Sequence, residues 1–428
     1  MQLGFLRQVS GLALVTLVAA AFVSALAQGT KDKSRNMPLG APVPGAAQAP
    51  PQASFTPMRF EELPGWAEDD HLAAFKTFVK SCGRVAALAK SAAAGTVKRK
   101  PAPPELLAAC DKATALATKP VTRAAAKAFF ETTFTPHRVV HTASPGLLTG
   151  YYEPVLEGSR TPDAKYSVPV YRRPPDLVNL VDETERAKGS ALTHARKTEK
   201  GVAPYPTRAE IDKGALTGQG LELLYLADPV DLFFMQVQGS GRVKLSDGSL
   251  VRISYDGKNG HPYTSIGRYL IDKQLLPADK VSLDALSNWL RANKERGREV
   301  MWQNASYVFF RELTGEKAEG PLGALEVGLT PFRSLAVDTA YHALGTPIYV
   351  TSPALKHAVK GAGFHRLMIA QDVGSAIKGP ERGDIYFGSG AKAGKLAGIT
   401  KHAGNFIVLL PTPPAPQKPA DPGLRAQQ

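Results

Sequence analysis

Apolar positions recur with a helical period over residues 69–82, where Leu72, Phe75, Phe78 and Val79 fall on one face behind an acidic start. Spacings of three and four residues predict an amphipathic helix, and acids at its start can accept from the first free N–H groups. Residues 103–116 and 122–134 predict two more helices. From Leu147 onward the texture changes. LLTGYYEPVLEG, YSVPVYRRP and VDLFFMQVQGSGRVKLSDGSLVRISYDG are aromatic and β-branched runs split by Gly and Pro, which predicts short strands and tight turns. Ser246-Asp247-Gly248 marks a hairpin between VKL and LVRIS. Gln236, Gln238 and Ser240 alternate with apolar neighbours, so the pattern predicts one shared strand face able to hydrogen-bond sugar hydroxyl and N-acetyl groups, or simply a solvated face. Further along, the pattern predicts a helix over 283–292, a strand over 304–311 and an amphipathic helix over 334–344. Closing strands follow at 347–350, 367–370, 384–387 and 406–410. No segment repeats. The pattern is mainly β with N-terminal helices, and it suggests barrels rather than a doubly wound sheet.

The chain ends read differently. Arg7 precedes the apolar run GLALVTLVAAAFV at 11–23, which is shorter than the roughly 20 residues a membrane span needs. Ser24-Ala25-Leu26-Ala27 then offers an A-x-A cleavage pattern. The expectation is a signal peptide over 1–27, export to the periplasm and a mature start at Gln28. If the signal stays uncleaved it tethers the protein to the membrane. Residues 28–57 are rich in Pro, Ala and Gly and read as a linker, and 413–428 as a disordered tail. The chain has two cysteines, Cys82 and Cys110, both in helix-like segments. In an exported protein an even count suggests a disulfide, with two buried thiols as the alternative.

With 428 residues, 43% of them hydrophobic, the chain is long enough for two domains. Its net charge of +14 implies an anionic partner such as a cell-wall polymer. The basic residues are scattered and match no nucleic-acid motif, so nucleic acid is excluded as a partner. No CxxC, HExxH, GxGxxG or Walker A spacing occurs, so neither a metal nor a nucleotide cofactor is expected.

Candidate chemistry concentrates in QDVGSAIKGPERGDIYFGSGAKAGKLAG, residues 371–398, which holds Asp372 and Asp384. Asp384 precedes Ile385-Tyr386-Phe387. Apolar neighbours disfavour the charged carboxylate and raise its pKa, which suits a general acid. Asp residues near Gly are also common turn formers.

Four ordered blocks carry a resemblance: Leu148-Thr149-Gly150-Tyr151-Tyr152-Glu153-Pro154; DLFFMQVQGSG at 231–241; YDGKNGHPY at 255–263 with Ser265-Ile266-Gly267-Arg268; and Gln371 to Gly379 followed by Gly383-Asp384-Ile385-Tyr386. Together they resemble the membrane-bound lytic murein transglycosylase A family, including its C-terminal 3D domain. The resemblance implies a double-psi β-barrel domain over 58–155 and 300–412, with the 3D-type segment near 367–412. It also implies an inserted β-barrel over 156–299 and a glycan groove between the two. The implied reaction is cleavage of the β-1,4 bond from N-acetylmuramic acid to N-acetylglucosamine, with formation of 1,6-anhydromuramic acid. The family's catalytic Asp matches Asp384 and its supporting Asp matches Asp372. Thr149 is placed near the acid, and Tyr151 is a candidate to stack on a sugar or to fill the core. The implied partner is the peptidoglycan glycan strand; a separate reading, a scaffold, would have the Pro-rich ends bind other cell-wall enzymes, and the chain is expected to be a monomer. The competing reading is a non-catalytic, expansin-like wall-binding protein, because a fold does not fix chemistry.

Overall fold

The structure is a computed structural model that describes residues 52–94, 102–142, 145–180, 192–315, 320–359 and 363–413. The expected signal peptide, residues 28–51 of the expected linker and the expected tail beyond residue 413 lie outside the described residues; the last linker positions, 53–57, are not linker but a strand paired with 137–141.

Strand β1 (Ala53–Pro57) leads to helices α1 (His71–Ala93), α2 (Pro104–Leu116) and α3 (Arg123–Thr133). Asp70 caps α1 by accepting from the Ala73 N–H, and Thr122 caps α3 by accepting from Ala125. Helix α1 runs well past the predicted end at 82, since the Ala-rich stretch after Cys82 contains no Pro to stop it. Phe75 and Phe78 of α1 meet Phe129, Phe130 and Phe134 edge-on and tilted, with ring centroids 5.1–6.5 Å apart. Each such buried ring stabilises the fold by about 1.5–3 kcal/mol. A disulfide joins Cys82 of α1 to Cys110 of α2, with Cα atoms 5.2 Å apart.

Next come β2 (Phe134–His141), β3 (Leu147–Glu153), β4 (Val155–Ser159), β5 (Val168–Tyr171), β6 (Leu177–Asn179), β7 (His194–Thr198) and β8 (Gly201–Ala203). The one-turn α4 (Arg208–Glu210) precedes β9 (Glu222–Leu226), α5 (Pro229–Gln238), β10 (Ser240–Lys244) and β11 (Leu250–Lys258). Helices α6 (Ile266–Asp272), α7 (Leu283–Ala292) and α8 (Lys294–Trp302) lead to β12 (Val308–Leu313). The chain closes with β13 (Ser334–Ala336), β14 (Pro347–Ser352), β15 (Phe364–Asp372), β16 (Arg382–Ser389), α9 (Gly390–Gly398), β17 (Lys401–Ala403) and β18 (Asn405–Pro411).

The result is a mixed helix and sheet fold with three open sheets. Nine strands order as β1-β2-β18-β14-β15-β13-β16-β3-β17, six as β12-β11-β10-β4-β9-β5, and three as β6-β7-β8. The first sheet draws its strands from both ends of the described chain, and β4 to β12 supply the other two. Only Pro154 separates β3 from β4, so the chain steps directly from one sheet to the next. Along β14, β15 and β18, Tyr349, Leu367, Ile369 and Leu409 pack on the helices. The intervening Ile348, Val350, Met368, Phe406 and Val408 pack in a second cluster. A strand buried on both faces reads as a continuous apolar run, which is why these strands are legible in the sequence. Among the described residues no helix is long and apolar enough to cross a membrane.

Two predicted elements are corrected. Residues 334–344 form no helix: Ser334–Ala336 is β13, sandwiched between β15 and β16, and turns follow. Asp338 stabilises those turns by accepting from the Ala340 and Gly379 N–H groups. Gln236, Gln238 and Ser240 do not share a strand face. Asp228 caps α5 by accepting from Val230, Pro229 occupies its first turn, and Gly239 ends it at φ 77°. Gln236 and Gln238 therefore lie on α5, and only Ser240 begins a strand. Cap, Pro and Gly outweighed a short alternation.

Candidate active site

Strands β15, β13, β16 and β3 lie side by side and carry a row of residues across the sheet. Ala336 of β13 pairs with Asp372 on one side and Asp384 on the other, and Asp384 pairs with Thr149 of β3. Two inter-strand steps put the two aspartate backbones roughly 10 Å apart. Ala336 between them is the smallest side chain that keeps the strand regular. Asp372, Asp384, Thr149 and Arg382 are all half-buried, so the row keeps contact with solvent.

The two acids have different surroundings. Asp372 Oδ1 accepts from the Ala324 N–H at 2.8 Å and the Val373 N–H at 2.9 Å, and Oδ2 accepts from the Tyr151 hydroxyl at 3.0 Å. Tyr151 is buried, lies 5.3 Å from the Tyr386 ring, and its phenol is pushed well above its ordinary pKa by burial and then by the nearby Asp372 and Asp384. It remains a neutral donor to Asp372. Asp384 Oδ1 accepts from the Thr149 hydroxyl at 2.6 Å. Burial raises the Asp384 pKa above the ordinary carboxyl value, against the opposing pull of the Thr149 hydrogen bond and the Arg382 charge. The two carboxyl groups sit in distinct environments, Asp384 with a raised pKa and Asp372 held by three donors.

The remaining sequence candidates fall elsewhere. Gln236 is buried, and its Nε2 donates to the Val308 carbonyl at 3.0 Å. Gln238 Oε1 accepts from the Tyr152 N–H at 3.0 Å, tying α5 to β3. Ser240 is buried opposite Ser254. Cys82 and Cys110 belong to the helical layer. Two nearby glycines serve packing: a Cβ on Gly394 of α9 would lie 2.8 Å from the Tyr152 ring, and one on Gly150 of β3 would lie 2.4 Å from Phe387.

Two residues were missed. Arg382 stands two positions before Asp384 on β16, and residues two apart on a strand share a face. That spacing was available in the sequence. Glu153 ends β3 with no exposed surface and accepts from Arg242 Nε at 2.6 Å, Arg252 Nε at 2.7 Å and Ser389 Oγ at 2.5 Å. It joins the nine-stranded sheet to the six-stranded one, and no local signal announces its partners.

A protonatable aspartate in an accessible row of hydrogen-bonded side chains is a site of the general acid–base class. Comparison with known proteins narrows this. The family described as MltA specific insert domain matches residues 147–311, and the 3D domain family matches 333–410. The chain is similar to the crystal structure of a membrane-bound lytic murein transglycosylase from Agrobacterium tumefaciens, at 38% identity and TM-score 0.73, covering 84% of this chain and 98% of that one. It is also similar to E. coli MltA with bound chitohexaose, at 28% identity and TM-score 0.59, covering 86% of this chain and 97% of that one. The curated membrane-bound lytic murein transglycosylase A of Vibrio cholerae is 38% identical over 267 residues, which are 61% of this chain and 65% of that relative. The match thus spans just under two thirds of the curated relative's length. The chain belongs to the membrane-bound lytic murein transglycosylase A family.

Proposed function

We propose that this protein is a peptidoglycan lytic transglycosylase. It cleaves the β-1,4 bond between N-acetylmuramic acid and N-acetylglucosamine and leaves a 1,6-anhydromuramoyl end. The observation that carries the reading is Asp384, a half-buried carboxyl group with a raised pKa and one hydrogen-bonded oxygen. Protonated Asp384 gives its proton to the departing N-acetylglucosamine oxygen as the bond to C1 breaks. As a carboxylate it then takes the proton of the muramoyl 6-hydroxyl, whose oxygen bonds to C1. No water enters the balance, so no second carboxylate is needed as base or nucleophile. Asp372 holds Tyr151 and the 324 and 373 backbone in place beside it.

The relatives' names and the chitohexaose bound to E. coli MltA support a β-1,4-linked glycan substrate. We infer further that β2, β3 and β13–β18 wrap into a double-psi barrel within 58–155 and 300–412. On this reading residues 156–299 form an inserted barrel, and glycan lies between the two. The chain's return to the first sheet at β13 and the 3D domain match over 333–410 support a discontinuous larger domain, while the insert-domain match over 147–311 and the pairing of β12 with β11 extend the insert past residue 299. A periplasmic site of action follows from the A-x-A signal sequence and from the peptidoglycan substrate.

The test is mass spectrometry of muropeptides after digestion of purified sacculi. The expected products carry 1,6-anhydro ends, and Asp384→Asn loses on the order of 100- to 10,000-fold in their release while still binding sacculi. Reducing muramic acid ends instead would assign a hydrolase. Parental activity in Asp384→Asn would remove the residue assignment, and loss of activity together with binding would favour the expansin-like reading.

A further inference from the structure

The Thr149 hydroxyl bridges Asp384 and Arg382. Arg382 Nη2 donates to Thr149 Oγ1 at 2.9 Å, and Thr149 Oγ1 donates to Asp384 Oδ1 at 2.6 Å. A guanidinium has five donors, no acceptor, and a charge it does not lose in a protein. It therefore occupies a lone pair of the hydroxyl and leaves the single hydroxyl proton to point at Asp384. The guanidinium is itself held: Nη1 donates to the Gly383 carbonyl at 2.6 Å and to the Leu147 carbonyl at 3.4 Å. Those carbonyls sit on β16 and β3, the strands that carry Asp384 and Thr149.

This direction matters for a carboxylic acid. A protonated Asp384 has one carbonyl oxygen and one O–H oxygen. Because Thr149 donates to Oδ1, Oδ1 is the carbonyl oxygen and the proton resides on Oδ2. Without Arg382 the hydroxyl is free to rotate and accept, and the acid proton can turn inward on Oδ1, away from substrate. We propose that Arg382 is a positioning residue that acts through Thr149 to keep the acid proton of Asp384 on Oδ2, the oxygen that gives it up and takes it back. The inference rests on Asp384 being the general acid. After proton transfer the same chain becomes a charge-assisted support for the carboxylate. The charged and titratable groups facing Asp384 are Arg382 on β16, Tyr151 on β3 and Asp372 across β13. Lys401 of β17 stands on the far side of Thr149 in register and is exposed.

The experiment compares Arg382→Gln, Arg382→Lys, Thr149→Val and the Arg382→Gln/Thr149→Val double variant in the full-length enzyme. Rates of anhydro-muropeptide release at saturating sacculi are measured from acid to alkaline pH, with sacculus binding and thermal melting in parallel. Arg382→Gln is expected to lose roughly 10- to 100-fold in maximal rate, the scale of one hydrogen bond to a charged group. Its alkaline limb moves to higher pH, because Asp384 loses groups that favour its ionised form, and sacculus binding stays parental. Thr149→Val shifts the limb in the same direction. Lysine, a charged donor, restores part of the rate. The double variant is no slower than Thr149→Val alone, since arginine acts through the hydroxyl. A parental pH profile in a folded Arg382→Gln, or losses that multiply in the double variant, overturns the inference. If Arg382→Gln does not fold, Arg382→Lys and Thr149→Val decide, and a parental pH profile in Thr149→Val overturns it. An inactive Asp384→Asn beside a parental Arg382→Gln sinks only this inference, whereas an active Asp384→Asn sinks the acid assignment and this inference with it.

Discussion

Glu153→Gln tests whether one buried carboxylate holds the two larger sheets together. The Glu153 side chain has no exposed surface, and its oxygens accept from Arg242 Nε, Arg252 Nε, Arg252 Nη2 and Ser389 Oγ at 2.6, 2.7, 3.3 and 2.5 Å. Glutamine keeps the volume but has one acceptor oxygen, and its amide N–H groups face guanidinium donors. The Arg242 side chain is 31% exposed and can turn to water; Arg252 is 7% exposed and cannot. The cost is thus set by the weakened pairing of one buried guanidinium, with the roughly 3–5 kcal/mol of a broken buried ion pair as its upper range. For a fold of this size that is a fall in Tm of about 4–7 °C. Differential scanning calorimetry or a urea midpoint reads it directly. Replacing Arg252 by Met in the Glu153→Gln background should recover part of the loss, because a buried charge no longer faces an amide in place of a carboxylate. A Glu153→Gln melt indistinguishable from the parent would refute the view that this cluster carries a large share of the inter-sheet stability.

Reducing the Cys82–Cys110 bridge, or Cys82→Ser, is expected to cost roughly 3.5 kcal/mol by the loop-entropy relation while leaving activity at 25 °C intact; the idea fails if reduced and oxidised protein melt together. Asp384→Asn is expected to be more stable than the parent at neutral pH. Burial raises the folded-state pKa, so the parent loses stability as pH rises from the ordinary carboxyl value through the raised one. That gain should vanish on acidification below about pH 4, where both states are protonated; a gain that persists in acid would contradict the linkage. Asp372→Asn leaves one acceptor oxygen for three donors and should slow turnover on the order of 10-fold, well short of Asp384→Asn. An equal loss in the two variants would give Asp372 a direct chemical part.

Much of the scaffold is local information. Helices α2 and α3, the β10–β11 hairpin and strands β14, β15, β16 and β18 lie where apolar period, caps and turn residues agree. Where such signals conflict, the local reading fails. Alternation at 236–240 suggested a strand, although Asp228, Pro229 and Gly239 had already bounded a helix. Residues 334–344 carry a helical period, yet neighbours far along the chain hold 334–336 as a strand. The family blocks likewise single out Asp384, Asp372 and Thr149 without placing them. A spacing of twelve positions between two aspartates says nothing about their separation; the insertion of β13 between β15 and β16 decides it. The hydroxyl that bonds Asp384 lies 235 positions away, and only the register of β3 against β16 brings it within 2.6 Å. Propensity and periodicity act over a few residues, so the sequence alone determines elements and candidate groups. Desolvation and hydrogen-bond direction depend on what surrounds a group in space: apolar sequence neighbours pointed to a raised Asp384 pKa, but the hydrogen bond and charge that oppose it, and the aim of its proton, were decided only by the tertiary structure.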